Sequence, residues 1–146
     1  MRQMGRPVDP EFQPSERLFY RFEGPYAVGS SPSGLGVRSP DFSVNREKHG
    51  GLPEFVLIPN WLTWGIAQFA VKSIPNAIAS DGGVVYTWPL HHTPEEENYF
   101  HSEITTLKSG VRCTKSSQVN DIVKKEFRQM LAEQMLVVKA FEGDDF

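Results

Sequence analysis

The residues best suited to chemistry lie in one stretch of the chain, Val84–Gly110, which holds three of the four histidines. Within this stretch, His101 and Glu103 are two residues apart. If the segment is a β-strand, both side chains point to the same face of the sheet. An imidazole beside a carboxylate suits proton transfer, so we predict that His101 and Glu103 are catalytic residues. The alternative is a structural pair or a pair of surface residues on a half-exposed strand.

The same pair could also bind a metal ion if His91 or His92 supplied a third ligand. Against a metal site, the spacing matches no known signature and the chain contains no H-E-x-x-H motif. We therefore predict no metal site, and the sequence indicates no particular cofactor.

Candidate anion-binding residues precede this stretch. Arg21 lies in RLFYRFE, where alternate residues are apolar, and the segment PDFSVNREKHGG gathers short polar and basic side chains. A planar guanidinium with five donors is well suited to phosphate. We predict that four residues bind the substrate: Arg21, Ser43, Asn45 and Arg46. The alternatives are an ion pair of Arg21 with a carboxylate such as Glu23 or Glu47, and a solvated polar loop.

The order of Arg21 on an early strand, Ser43 on a middle element and Glu103 on a late strand resembles ADP-ribosyltransferase-like domains. In this set, Arg21, Ser43 and Arg46 would hold phosphates, while Glu103 would supply a carboxylate to a ribose hydroxyl or activate a nucleophile. The family's Ser-Thr-Ser triplet is absent, and its Glu-x-Glu or Gln-x-Glu pair reads His101-x-Glu103 here. The chain also lacks the G-x-x-x-x-G-K-[ST], G-x-G-x-x-G and G-x-S-x-G motifs.

Composition narrows the class of protein. A length of 146 residues fits one domain, and a net charge of −3 does not favour nucleic acid or an anionic membrane as partner. The single Cys113 excludes an internal disulfide, CxxC redox chemistry and a zinc finger. No secretory signal is visible, and the longest uncharged run, Phe55–Val71, contains Pro59-Asn60. We expect a cytoplasmic protein with no membrane partner.

Hydrophobic periodicity predicts an α+β fold: a mostly antiparallel five- or six-stranded sheet packed against one long C-terminal amphipathic helix. Residues 1–15 should form an extended arm and residues 16–146 a single domain. The predicted strands are Arg17–Glu23, Leu52–Pro59, Gly65–Ile74, Val84–Leu90 and Asn98–Leu107, with a helical turn at Thr93–Glu96. The helix should span Lys115–Gln134, and Leu136–Phe141 should be a last strand or the tail of the helix.

Two functions compete at this point. The first is a small enzyme acting on a phosphate-containing substrate, a nucleotide or nucleic acid, as a transferase or hydrolase. The second is a non-catalytic protein-binding or structural module, homodimers included, that uses a set of aromatic side chains: Trp61, Trp64, Trp88 and Tyr99. The enzyme requires that His101 and Glu103 open into a pocket with Arg21 or Arg46.

Overall fold

The computed structural model describes residues 7–32, 37–58 and 60–142. Within these residues, a six-stranded and a four-stranded antiparallel sheet lie beside a single α-helix, which confirms the predicted α+β class. The strands are β1 (Arg17–Phe22), β2 (Phe42–Arg46), β3 (Gly65–Ala70), β4 (Ile78–Ala79), β5 (Val85–Thr87), β6 (Leu90–His92), β7 (His101–Ile104), β8 (Leu107–Lys108), β9 (Val111–Arg112) and β10 (Leu136–Lys139). The order is β10-β3-β1-β2-β7-β6 in the larger sheet and β4-β5-β8-β9 in the smaller.

The helix, α1, spans Asp121–Glu133 and is shorter than predicted. Asn120 caps it, because the Asn120 side chain accepts hydrogen bonds from the backbone N–H groups of Ile122 and Val123. The residues that were expected to start the helix instead form a short 3₁₀ helix, Ser116–Gln118. Of the predicted apolar face, Ile122 is 67% exposed, so the stripe that packs on the sheet is narrower than the periodicity indicates.

The larger sheet is covered on both faces. Leu18, Tyr20 and Phe22 alternate along β1 and pack into the main core together with α1. Phe19 faces the other way and contacts a smaller cluster that includes Val56 and Leu57. Those two residues belong to the 3₁₀ helix Pro53–Leu57, so the prediction of a buried strand at Leu52–Pro59 is wrong. Pro53 at the start of this helix fixes a helical φ and lacks the N–H that a strand would need.

Two breaks divide the strands predicted at Val84–Leu90 and Asn98–Leu107, and at each break the chain passes from one sheet to the other. The first break lies at Trp88-Pro89, between β5 and β6, and the second at Thr105-Thr106, between β7 and β8. The N–H of Thr105 donates to the carbonyl of Pro89, so the two breaks lie side by side. Between β6 and β7 the chain turns through a Glu95–Asn98 bridge and not through the predicted helical turn.

The remaining strands are shorter in the structure than the sequence predicts. The strand expected at Gly65–Ile74 ends at Ala70 and continues as a 3₁₀ helix, Val71–Ser73. Of the two alternatives for Leu136–Phe141, the strand is correct, and it pairs with β3 at the edge of the larger sheet.

Candidate functional site

The candidate site is a pocket at the place where β1 and β2 separate. The two strands pair only at Leu18↔Arg46 and Phe19↔Asn45, although β1 continues along β3 to Phe22 and β2 continues along β7 to Phe42. A pocket of about 370 Å³ opens between the unpaired ends. Its lining mixes both charges with aromatic rings: Tyr20, Arg21, Arg38, Asp41, Phe42, Ser43, Trp61, Trp64 and Glu103.

Three of the predicted site residues line this pocket: Arg21, Ser43 and Glu103. They lie on β1, β2 and β7, which are neighbours in the larger sheet. Ser43 and Glu103 are direct partners in the register of β2 and β7. The three residues, 82 positions apart in sequence at most, therefore converge because alternate residues of adjacent strands share one face.

The guanidinium of Arg21 lies 3.6 Å from the centre of the Trp61 ring, which is a cation–π contact. Burial lowers the pKa of Arg21, but an arginine remains protonated at any physiological pH. Glu47, one of the carboxylates considered as a partner for Arg21, pairs with Arg17. The charge of Arg21 is thus held at the pocket by an aromatic ring.

The two acidic side chains of the pocket are held by Arg112, which projects from β9 of the smaller sheet. Its NH2 group lies 2.7 Å from Asp41 Oδ2 and 3.2 Å from Glu103 Oε1. The bond to Asp41 raises the pKa of Arg112. The second oxygen, Asp41 Oδ1, is buried and has no hydrogen-bond partner in the described part of the chain. Arg38, Asp41 and Arg112 were not found by sequence reasoning, since only the tertiary fold brings them to β2 and β7.

His101 lies behind Ser43 and does not line the pocket itself. Its Nε2 is 3.1 Å from Ser43 Oγ, and its Nδ1 is 2.9 Å from the carbonyl oxygen of Thr93 and 3.0 Å from Thr93 Oγ1. The predicted pair of His101 and Glu103 does share one face of β7. The imidazole, however, reaches the pocket only through the Ser43 hydroxyl.

Asn45 and Arg46, the other two predicted substrate-binding residues, do not join the pocket. Asn45 is buried and exchanges two side-chain hydrogen bonds with Asn98, at 2.7 and 3.2 Å. The guanidinium of Arg46 is fully buried and forms an ion pair with Glu16. Both residues therefore have structural partners, and the segment predicted to be a polar loop is the strand β2.

Other side chains considered from the sequence have different surroundings. Trp88 is buried and stacks on Phe127, with 4.2 Å between the ring centres, and Tyr99 is buried as well. Of the four aromatic residues expected at a protein contact, only Trp61 and Trp64 are partly exposed, and both line the pocket. Among the described residues, no three His, Cys, Asp or Glu side chains are grouped so as to hold a metal ion.

In the ranges 7–32, 37–58 and 60–142, no helix has the length and apolar character needed to cross a membrane. Comparison of the chain with protein-family models, with curated proteins and with solved structures finds no match.

Proposed function

We propose that the chain is an enzyme that binds a phosphate-containing nucleotide in the pocket between β1 and β2 and acts on it as a transferase or hydrolase. The observation that carries this proposal is the convergence of Arg21, Ser43 and Glu103, from three adjacent strands, on one pocket. A volume of about 370 Å³ is within the range of small-molecule sites.

Two arginines supply the affinity for phosphate. Arg21 and Arg38 both line the pocket, and a guanidinium binds phosphate oxygens through paired N–H donors. Trp61 and Trp64 offer flat apolar surfaces on which a base could stack. The net charge of −3 favours a free nucleotide over a polymeric nucleic acid, whose backbone would require a broad basic surface.

Glu103 is the carboxylate available to a sugar hydroxyl or to a leaving group. Its side chain is held in place by Arg112 at 3.2 Å and is partly exposed to the pocket. This assignment agrees with the resemblance to ADP-ribosyltransferase-like domains, in which Arg, Ser and Glu occur in the same order. NAD⁺ and ADP-ribose are therefore the first nucleotides to test.

Binding can be measured by titrating the protein with NAD⁺, ADP-ribose, ATP and inorganic phosphate, using tryptophan fluorescence and calorimetry. We expect at least one nucleotide to bind saturably, and Arg21→Ala to weaken it about 10-fold or more, since a hydrogen bond to a charged group contributes about 1.5–3 kcal/mol. Arg17→Ala is the matched control because Arg17 lies on the same strand and is exposed. Absence of binding at millimolar concentrations, or equal losses in the two variants, would contradict the proposal.

Turnover of a nucleotide that binds is followed by chromatography of the products, which distinguishes hydrolysis from transfer to an added acceptor. We expect Glu103→Gln to abolish product formation while the midpoint of thermal unfolding stays near that of the wild type. If the substitution instead unfolds the protein, Glu103 is a structural partner of Arg112.

A further inference from the structure

We propose that Ser43 is a nucleophile, with His101 as its general base and Thr93 as the group that orients the base. The atom attacked would be the phosphorus of a phosphoryl group. That the substrate is a nucleotide rests on the proposed function. The required contacts are all present: a hydroxyl at the pocket wall, a ring nitrogen 3.1 Å from it, and an acceptor on the far side of the ring.

The carbonyl of Thr93 determines which tautomer the neutral ring of His101 adopts. A carbonyl oxygen can only accept a hydrogen bond, so the Nδ1 atom 2.9 Å away must carry the hydrogen. In a neutral imidazole, Nε2 is then the acceptor, and the hydroxyl of Ser43 must donate to it. The lone pairs of Ser43 Oγ are thereby left free to attack an electrophile in the pocket.

The backbone keeps this arrangement rigid without the strand-to-helix elbow that the sequence lacks. Ser43 lies on β2 and His101 on β7, which pair directly, and the N–H of Thr93 donates to the carbonyl of His101 at 3.0 Å. The side chain of His101 is only 14% exposed. A partly buried ring that is held by hydrogen bonds on both sides loses little entropy when it takes up a proton.

The electrostatic surroundings suit the charges that would form. Glu95 Oε2 lies 3.9 Å from His101 Nε2, too far for a hydrogen bond but near enough to stabilise an imidazolium. Arg21 and Arg38 line the same pocket as Ser43 and can stabilise negative charge on the phosphoryl oxygens. The two carboxylates that also line the pocket, Asp41 and Glu103, are both paired with Arg112.

The reaction balances as a two-step displacement. In the first step, Ser43 Oγ forms a bond to phosphorus, the Ser43 proton passes to His101 Nε2, and the bond to the leaving oxygen breaks. His101 then gives the proton to that oxygen, so the alcohol leaves neutral and Ser43 carries the phosphoryl group. In the second step, water or an acceptor hydroxyl attacks phosphorus and gives its proton to His101 Nε2, while the bond between phosphorus and Ser43 Oγ breaks. His101 then returns the proton to Ser43 Oγ, which restores the free hydroxyl.

A small organophosphorus fluoride, diisopropyl fluorophosphate, tests this nucleophile without any nucleotide. Its phosphorus bonds to Ser43 Oγ, fluoride leaves, and the proton passes to His101. We expect intact-mass and peptide analysis to show a single adduct, located on Ser43. Ser43→Ala should abolish labelling. Ser117→Ala, which changes an exposed serine that does not line the pocket, should label as the wild type does.

The dependence on the base is measured by the rate of labelling. His101→Gln should slow it about 100-fold or more, which is the low end of the range for general base catalysis. In the wild type, the rate should fall as the pH is lowered, because a protonated imidazole cannot act as a base, and this measurement needs no variant to fold. An unmodified Ser43, or labelling of Ser43 that is independent of pH, would overturn the proposal.

The two proposals fail separately. Nucleotide binding without labelling of Ser43 would overturn the nucleophile and leave the nucleotide pocket standing. Labelling of Ser43 that follows His101, in a protein that binds no nucleotide, would support the nucleophile and overturn the assignment of its substrate.

Discussion

Removal of the Glu16 carboxylate should show how much the buried ion pair with Arg46 contributes to the free energy of unfolding. The guanidinium of Arg46 is 0% exposed and the carboxylate of Glu16 is 6% exposed. Arg46 donates from Nε and NH2 to the two oxygens of Glu16, at 3.0 and 2.9 Å. It also donates to the backbone carbonyls of Asp9 and Glu11, both at 2.7 Å, and lies 3.9 Å from the ring centre of Phe12.

The substitution Glu16→Gln removes the charge and keeps the shape. Removal of one partner from a buried ion pair costs about 3–5 kcal/mol, because the other charge remains buried without compensation. Arg46 would keep both backbone acceptors, and the amide oxygen of the glutamine could accept one more bond. We therefore expect about 3 kcal/mol, a large part of the roughly 5–15 kcal/mol by which a domain of this size is stable.

The assay is urea unfolding at neutral pH, with the free energy of unfolding extrapolated to water. Glu47→Gln is the matched control: Glu47 pairs with Arg17, whose side chain is 53% exposed, and such pairs contribute about 0–1 kcal/mol. If Glu16→Gln and Glu47→Gln lie within about 1 kcal/mol of each other, the buried pair does not stabilise the fold as argued. The double variant Glu16→Leu, Arg46→Met leaves no charge buried but also removes the two hydrogen bonds from Arg46 to the arm, so it should recover only part of the loss.

Two further predictions concern the arm and the sheet. His92 accepts a hydrogen bond at Nδ1 from the N–H of Asp9 and donates from Nε2 to the carbonyl of Tyr99, and burial lowers its pKa, so the folded protein resists protonation. The contribution of His92 to the free energy of unfolding should be complete above about pH 6.5, the usual histidine pKa, and should fall as the pH drops from there through the lowered pKa. Urea unfolding at several pH values measures this slope. His92→Gln should flatten it, and the control His91→Gln, at an exposed position, should not. Gly65→Ala should destabilise the fold by about 1–3 kcal/mol, because the added Cβ would lie 2.8 Å from the carbonyl oxygen of Lys139. Gly82→Ala is the control, since its added Cβ would have no neighbour nearer than 3.9 Å. Equal midpoints of thermal unfolding for the two variants would refute the clash.

The alternation of side chains along a strand made part of the site predictable from the sequence. His101 and Glu103 share a face because a strand alternates. For the same reason Arg21 lies on the face of β1 opposite to Tyr20 and Phe22. What alternation cannot give is the order of strands in the sheet. That order brings Ser43 beside Glu103, and it depends on pairing between segments about 60 residues apart.

Around Arg46 the sequence carries two conflicting signals, one for a strand and one for a loop. Phe42–Asn45 alternates apolar and polar residues, F-S-V-N, but the surrounding glycines, serines and prolines favour a loop. In a loop, Ser43 and Arg46 could bind the same phosphate. In the strand that actually forms, residues three apart point to opposite faces, so Ser43 reaches the pocket while Arg46 faces the arm.

The pocket and the buried ion pair lie at opposite ends of the same strand pair. Arg46 and Leu18 mark the paired end of β1 and β2, where the arm crosses and where Glu16 precedes β1. Arg21 and Ser43 lie toward the other end, where the two strands no longer pair. A sheet that opens between two of its central strands exposes backbone groups, so one end must hold the strands together if the other is to admit a ligand. The interaction of Arg46 with the arm supplies that restraint. The contacts that hold the two strands together are therefore separate from Arg21 and Ser43, the residues proposed to bind and attack the substrate.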